Sequence, residues 1–179
     1  MKRFPCRLLS ASLALALAAL VALSGCSSGK SVRRGGSQRV DAGVYTKGRH
    51  LNRKQARMIE EACSWIGTPY KYGGAEKGTG TDCSGMVLRV YLDMTEIKLP
   101  RNSAKQAEFC KRIKEKDARP CDLVFFATGK DSGKVSHVGL LLDSESFIHS
   151  SSSKGVTITR LDNPWWRPRI LGFGRVPGF

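Results

Sequence analysis

Apolar residues change their spacing once along this chain, and that change limits the fold more than any other feature. From Asn52 to about Phe109 they recur at steps of three and four: Ala56, Ile59, Cys63 and Ile66, then Met86, Val87, Val90, Tyr91 and Met94. Such steps place side chains on one face of a helix. From Asp122 onward the pattern turns to short apolar or alternating runs at 122–127, 137–142, 146–149, 156–160 and 170–176, separated by turn residues. Those runs predict a meander of antiparallel strands. Helices first and strands second give an α+β domain, with N-terminal helices packed on an antiparallel sheet. Asn52 is expected to cap the first helix and Gly67 to stop it. A second helix opens near Asp82 and a third runs from about Asn102 to Phe109, with a Gly- and Pro-dense loop from Thr68 to Gly80 between the first two.

The segment before Asn52 has a different logic. Lys2, Arg3 and Arg7 precede an uncharged Leu- and Ala-rich run from Leu8 to Leu23. That run is short for a membrane span, which needs roughly 20 apolar residues, and has the proportions of a signal peptide. Leu23-Ser24-Gly25-Cys26 resembles the bacterial lipobox. The resemblance implies that residues 1–25 are removed and that Cys26 is lipidated by fatty acyl chains. Ser27, rather than Asp, follows, which in a Gram-negative cell implies the outer membrane, facing the periplasm. Residues 26–51 are polar, basic and without apolar periodicity, so they read as a flexible tether, with 52–179 as the folded domain and no room for another domain before it. Arg33, Arg34, Arg39, Lys47 and Arg49 either hold this tether near anionic headgroups or simply solvate it.

The net charge is +15, and the leader supplies three of the positive charges and no negative one. Such a balance suits polyanionic surroundings. Export excludes nucleic acid as the partner and leaves lipid headgroups or a carboxylate-bearing wall.

Six cysteines must then be sorted for an oxidising compartment. Cys6 leaves with the signal and Cys26 carries lipid. Cys63 reads as a small buried hydrophobe. A Cys110–Cys121 bridge closing a short loop is one option, two free thiols the other. No Cys-x-x-Cys or clustered His/Cys spacing points to zinc, so no metal or other cofactor is expected. Cys83 differs from the rest. It lies in Thr81-Asp82-Cys83-Ser84-Gly85, where the Gly-rich loop passes into a helix. Unpaired backbone amides and the positive end of the helix dipole stabilise a thiolate there and can receive an oxyanion. Ser84 and Gly85 are small enough for a substrate carbonyl to approach the sulfur. His137, at the start of a strand, is the candidate base, and His149, on the next strand, can orient it through its second ring nitrogen. Pairing about the 143–145 turn makes the two histidines neighbours. His50 receives no role.

Several stretches in order are similar to the NlpC-type family of papain-like cell-wall peptidases over roughly residues 52–176. They are 67–74 (Gly-Thr-Pro-Tyr-Lys-Tyr-Gly-Gly), 82–85 (Asp-Cys-Ser-Gly), 99–101 (Leu-Pro-Arg), 122–126 (Asp-Leu-Val-Phe-Phe), 136–139 (Ser-His-Val-Gly) and Phe147-Ile-His149. The resemblance implies a papain-like fold, a nucleophile at Cys83, a base at His137 and a third polar residue at His149. It also implies Tyr70 beside the nucleophile, with its hydroxyl on the substrate or oxyanion, and Asp82, Ser84 and Arg101 near the cleft; for Arg101 a surface salt bridge is the alternative. Cys121 stands where the family commonly has Gly. Trp165 and Trp166, in a tail resembling the small lipoprotein murein endopeptidases, either close the sheet or serve as ligand platforms, packing being the preferred reading.

The implied function is a lipid-anchored cysteine peptidase, acting as a monomer on peptidoglycan stem peptides or crosslinks in cell-wall remodelling. A non-hydrolytic wall-binding lipoprotein and an acyltransferase are the other uses of such a fold. A toxin is disfavoured, because lipidation tethers the protein to its producer's envelope. Replacing the acylated residue, Cys26→Ala, is expected to move the protein from the membrane to the soluble fraction; unchanged fractionation would refute the anchor.

Overall fold

A computed structural model describes residues 41–46 and 50–179. The expected signal peptide, Cys26 and most of the expected tether lie outside the described residues. Within the stretch expected as a tether, Gly43–Thr46 form one helical turn, α1, with Ala42 and Tyr45 packed against the core. No apolar periodicity marks that contact in advance.

Helix α2, Arg53–Cys63, begins with a full capping box. The Asn52 side chain accepts from the Gln55 amide at 2.8 Å, and Gln55 reaches back to the Asn52 N–H at 3.1 Å. Two otherwise orphaned donors are satisfied in this way. Turns follow to Gly67, whose φ of 86° is one a side chain resists. The loop then forms a two-stranded hairpin, β1 (Ala75–Glu76) with β2 (Gly80–Thr81), too short to register as periodicity. Helix α3 spans Cys83–Thr95, capped by Asp82, and α4 spans Ser103–Phe109, capped by Asn102.

The sheet has six antiparallel strands in the order β3-β8-β4-β5-β6-β7. They are β3 (Lys111–Ile113), β4 (Leu123–Phe126), β5 (His137–Leu141), β6 (Ser146–Ser151), β7 (Gly155–Arg160) and β8 (Ile170–Arg175). Strands β4 to β7 form the expected meander. The last strand departs from it: β8 returns past β7 and β6 to pair with the free edge of β4, and β3 closes the outside. Asp122 holds that return, accepting from Arg175 at 2.8 and 2.7 Å and from the Arg119 amide at 2.7 Å.

The sheet is buried on both faces. One face meets the helices, with Phe125, Val138, Leu140 and Ile148 against Met86, Val87 and Val90. The other carries Val124, Phe126, Leu141, Phe147 and Phe173, covered by Leu161 and Trp166. This double burial explains the unbroken apolar runs of β4 and β5.

All four described cysteines are free thiols, which settles the bridge. Cys110 faces Gly174 of β8, while the Cys121 sulfur lies 3.7 Å from the Gln55 carbonyl of α2, so the two point at different elements. Cys121 also has a φ of 76°, the left-handed region that favours glycine. Its family position as a Gly site thus has a backbone cause. Burial is the first cause that pushes the Cys63 thiol up to about 11 and the Cys110 thiol to about 12.

Gly155 joins the sheet to the helical half. Its φ is 69°, and a Cβ there would lie 2.4 Å from the Thr68 carbonyl oxygen. Val156 donates to that oxygen at 2.9 Å and Gly67 donates to the Val156 carbonyl at 3.1 Å. Gly155→Ala should therefore lower stability by about 2 kcal/mol or more, from the left-handed backbone and the displaced Thr68. Urea unfolding would show it as a reduced midpoint; an unchanged midpoint would contradict the close approach.

Candidate active site

Everything at this site starts from how α3 begins. Asp82 sits in extended conformation before the helix, and its carboxylate accepts from the Gly85 amide at 2.7 Å and the Gly73 amide at 2.9 Å. Arg101 grips the same carboxylate with two nitrogens, each at 2.8 Å, and donates to the Gly74 carbonyl at 2.8 Å. Ser84 donates to Asp82 at 3.0 Å and to the Arg101 carbonyl at 2.8 Å. Burial opposes the charge of Asp82, but the hydrogen bonds from Arg101, Gly85 and Gly73 outweigh it and hold the carboxyl below its ordinary range. Beneath this, the Gln106 amide nitrogen donates to the Ser84 and Pro100 carbonyls at 2.9 Å each.

The side chains of Asp82, Ser84 and Arg101, expected near the cleft, engage one another next to Cys83 and are not among the residues bordering the cavity onto which it opens. They aim the first turn of α3. Because Asp82 takes the third amide of the helix, the N–H groups of Cys83 and Ser84, with that of Val138, remain to face the sulfur.

That cavity, about 450 Å³, is bordered by Tyr70, Cys83, His137, His149, Trp165 and Trp166, together with a series of hydroxyl side chains. A wider groove of about 890 Å³ runs along the 71–80 loop beside Trp65, Tyr72 and Arg89, and Cys83 does not open onto it. Tyr70 is 36% exposed and held beside Cys83 by a bridge to Thr81, with Lys71 donating to the Thr81 carbonyl at 3.0 Å. Burial, then the neighbouring negative charges of Cys83 and Asp82, raise its phenol above the ordinary value.

The histidines form a line. His137 Nε2 lies 2.9 Å from His149 Nδ1, and His149 Nε2 lies 3.0 Å from the Thr159 hydroxyl on β7. Strands β5 and β6 pair Leu140 with Ile148 and Leu141 with Phe147, a register that puts His149 across from Gly139. His137 and His149 then meet diagonally on one face, over a position without a side chain, and a Cβ at Gly139 would lie 2.5 Å from the Phe147 ring. If Nδ1 of His137 serves as the base, its Nε2–H donates to His149 Nδ1, and His149 Nε2–H donates to Thr159. In that tautomer pair the Thr159 hydroxyl accepts, which a group able both to donate and to accept permits. Trp166 seals this arrangement, its ring centroid 5.0 Å from His137 and 4.6 Å from His149, and it contacts Phe126 and Phe147 as well. Trp165 behaves differently: it is 48% exposed at the cavity rim, with the Arg169 guanidinium 4.2 Å over its ring. Both tryptophans pack, Trp165 edge-on against Trp166 with centroids 4.6 Å apart, but Trp165 also keeps a face open at the rim.

Burial dominates the electrostatics. It pushes the Cys83 thiol up to about 11, against the pull of the surrounding backbone N–H groups. It lowers His137 to about 4, only partly offset by the charge of Asp82, and drives His149 well below its ordinary value, helped by the charges of His137 and Lys154. Each lone charge is penalised here, so a thiolate and an imidazolium are stable only together. The helix start alone does not ionise Cys83.

The family follows from these features taken with the comparisons. Residues 67–175 match the model of the NlpC/P60 family, and the chain belongs to that family, one of cysteine peptidases. It is 39% identical over 121 residues to the "Probable endopeptidase NlpC" of Escherichia coli K12, covering 68% of this chain and 77% of that one. It is 34% identical over 122 residues to the E. coli K12 "Murein DD-endopeptidase MepS/Murein LD-carboxypeptidase", covering 68% of this chain and 63% of that one. Among solved structures, a lipoprotein-like NLP/P60 family protein of Staphylococcus aureus aligns with a TM-score of 0.62 at 31% identity, over 73% of this chain and 44% of that one.

Sequence reasoning missed Thr159, the contact of Trp166 with both imidazoles, and the hydroxyl-rich wall of the cavity. A Thr on a strand carries no distinguishing signal; only the strand pairing brings it to His149.

The coupling of the pair can be measured. In His137→Ala the imidazole that borders the cavity with Cys83 is gone and the thiol keeps its raised pKa, so thiolate is lost as pH falls below about 11. Alkylation of Cys83 by iodoacetamide, followed by peptide mass mapping, should be fast at neutral pH in the wild type and confined to strongly alkaline pH in the variant. Equal neutral-pH rates would refute the coupling.

Proposed function

We propose that this chain hydrolyses peptide bonds in the stem peptides or crosslinks of peptidoglycan, with Cys83, His137 and His149 as its catalytic triad. The observation that carries this reading is that Cys83, at an amide-rich helix start, and the His137–His149–Thr159 line open on one cavity. The relatives named as endopeptidases support the substrate class.

In this scheme the substrate enters beside Cys83 and His137 takes the thiol proton as the sulfur attacks the scissile carbonyl carbon. The negative charge on the carbonyl oxygen is held by the N–H groups of Cys83 and Ser84 and by the Tyr70 hydroxyl. His137 then gives its proton to the leaving nitrogen, the C–N bond breaks, and a thioester remains on Cys83. Water, deprotonated by neutral His137, attacks the thioester; the C–S bond breaks and the thiolate returns. His149 holds His137 in the required tautomer and, backed by Thr159, stabilises the transient imidazolium. Trp166 excludes water from the back of both rings.

The chain is proposed to act at the cell envelope, anchored through lipid on Cys26 to the membrane, the outer one in a Gram-negative cell. The Leu-Ser-Gly-Cys motif and the basic segment after it support this placement. Such an anchor confines the cavity to a shell of wall near the membrane.

Cys83→Ala should release no products from purified sacculi while retaining its cooperative unfolding transition. His137→Ala should lose roughly 10²-fold or more, the usual share of general acid–base catalysis, and His149→Ala should lose less. Chromatography of released muropeptides reads all three; turnover by Cys83→Ala would refute the scheme.

A further inference from the structure

The cavity wall has an unusual chemical balance. Its sixteen bordering residues include Thr128, Ser136, Ser150, Ser151, Ser152 and Ser153, yet no Asp or Glu. Lys154 is the single permanently charged side chain among them. It is exposed, and it forms no ion pair among the described residues. Its charge reaches the site, since it is one of the groups that disfavour protonation of His149. Ser151, Ser152 and Ser153 border the cavity with it.

The turn that presents Lys154 is also firmly held. It connects β6 to β7, which pair without interruption from Ser146–Arg160 to Ser151–Gly155. Ser150 donates to the Thr81 carbonyl at 2.8 Å, tying the base of the turn to the residues just before Cys83. Gly155 presses against Thr68, two residues before Tyr70. Inside the turn, the Ser153 amide donates to the Ser151 hydroxyl at 3.4 Å and the two hydroxyls lie 3.2 Å apart. These bonds fix where the Lys154 backbone sits beside the cavity, while its exposed side chain is ordered only on meeting an anion.

We propose that Lys154 is a specificity residue that binds a carboxylate of the substrate, with the neighbouring serine hydroxyls completing the oxyanion's hydrogen bonds. The inference rests on the peptidase reading above. A hydroxyl-lined pocket with one ammonium and no acid accepts a carboxylate and rejects a second ammonium. Lys154 is a point charge with three donors, so it selects for charge and position rather than for a planar bidentate fit. The recognised group is a carboxylate flanking the bond that Cys83 attacks, and an amidated form of the same peptide loses the contact.

The test uses muropeptides from a purified peptidoglycan digest, supplied as isolated or with their carboxylates converted to amides by carbodiimide and ammonia. Wild-type enzyme should show a KM for the native material roughly tenfold below that for the amidated material, the scale of one charge-assisted hydrogen bond. Lys154→Ala should raise KM on native substrate by that factor, leave kcat nearly unchanged and leave the amidated substrate unaffected. Lys154→Arg should restore most of the native KM, and Lys154→Glu should invert the preference. The amidated substrate also reports folding, since a misfolded variant would fail on both. Equal losses on the two substrates, or no change on either, would overturn the role of Lys154 while leaving the peptidase reading intact. Failure of the wild type to cleave either material would overturn both.

Discussion

The carboxylate of Asp82 is the interaction on which the site depends. It receives hydrogen bonds from two backbone amides, a hydroxyl and both arms of a guanidinium. Through them it fixes the end of the Gly-rich loop, the first turn of α3 and the segment at Arg101 as one unit. A charge this well satisfied costs little to bury. Its effect is geometric: by capping the third amide of the helix it leaves the first two for the sulfur. The same carboxylate raises Cys83 by its negative charge, although burial is the larger cause. The network therefore positions the thiol without activating it.

Activation lies on the other side of the cavity, in the sheet. A thiol pushed up and an imidazole pushed down by burial make a proton transfer that neither side favours alone. The attraction between the two charges, stronger among buried groups than in water, is what makes the transfer feasible. Line-up therefore matters more than any single pKa. The diagonal contact over Gly139, the Thr159 hydroxyl and the Trp166 ring all restrict His137 to one orientation.

Much of this was legible in the sequence. The cap at Asn52 follows from its place before a periodic apolar run, and the helices expected to open near Asp82 and Asn102 begin just after those two residues, which cap them. Cys83, His137 and His149 stood out because a loop-to-helix thiol and two histidines on one hairpin leave few other arrangements. Less legible was everything set by strand order. Periodicity says that 170–176 is a strand but not that it crosses to β4, and strands of two or three residues leave no pattern at all. Asp82, Ser84 and Arg101 were recognisable by type, yet whether they turn inward to one another or outward to a ligand depends on contacts nineteen residues apart. Cys121 is the reverse case: its departure from a family glycine became meaningful only with its positive φ.

The position of Trp166 has a spectroscopic consequence. Its indole ring abuts both imidazoles within about a ring's width, and a protonated imidazole withdraws electron density from an excited indole and quenches its emission. Trp65 is buried near α2 and Trp165 sits at the rim, so neither shares this contact with both rings. The fluorescence of one tryptophan thus carries a record of when the two histidines hold a charge, and it does so without any added label.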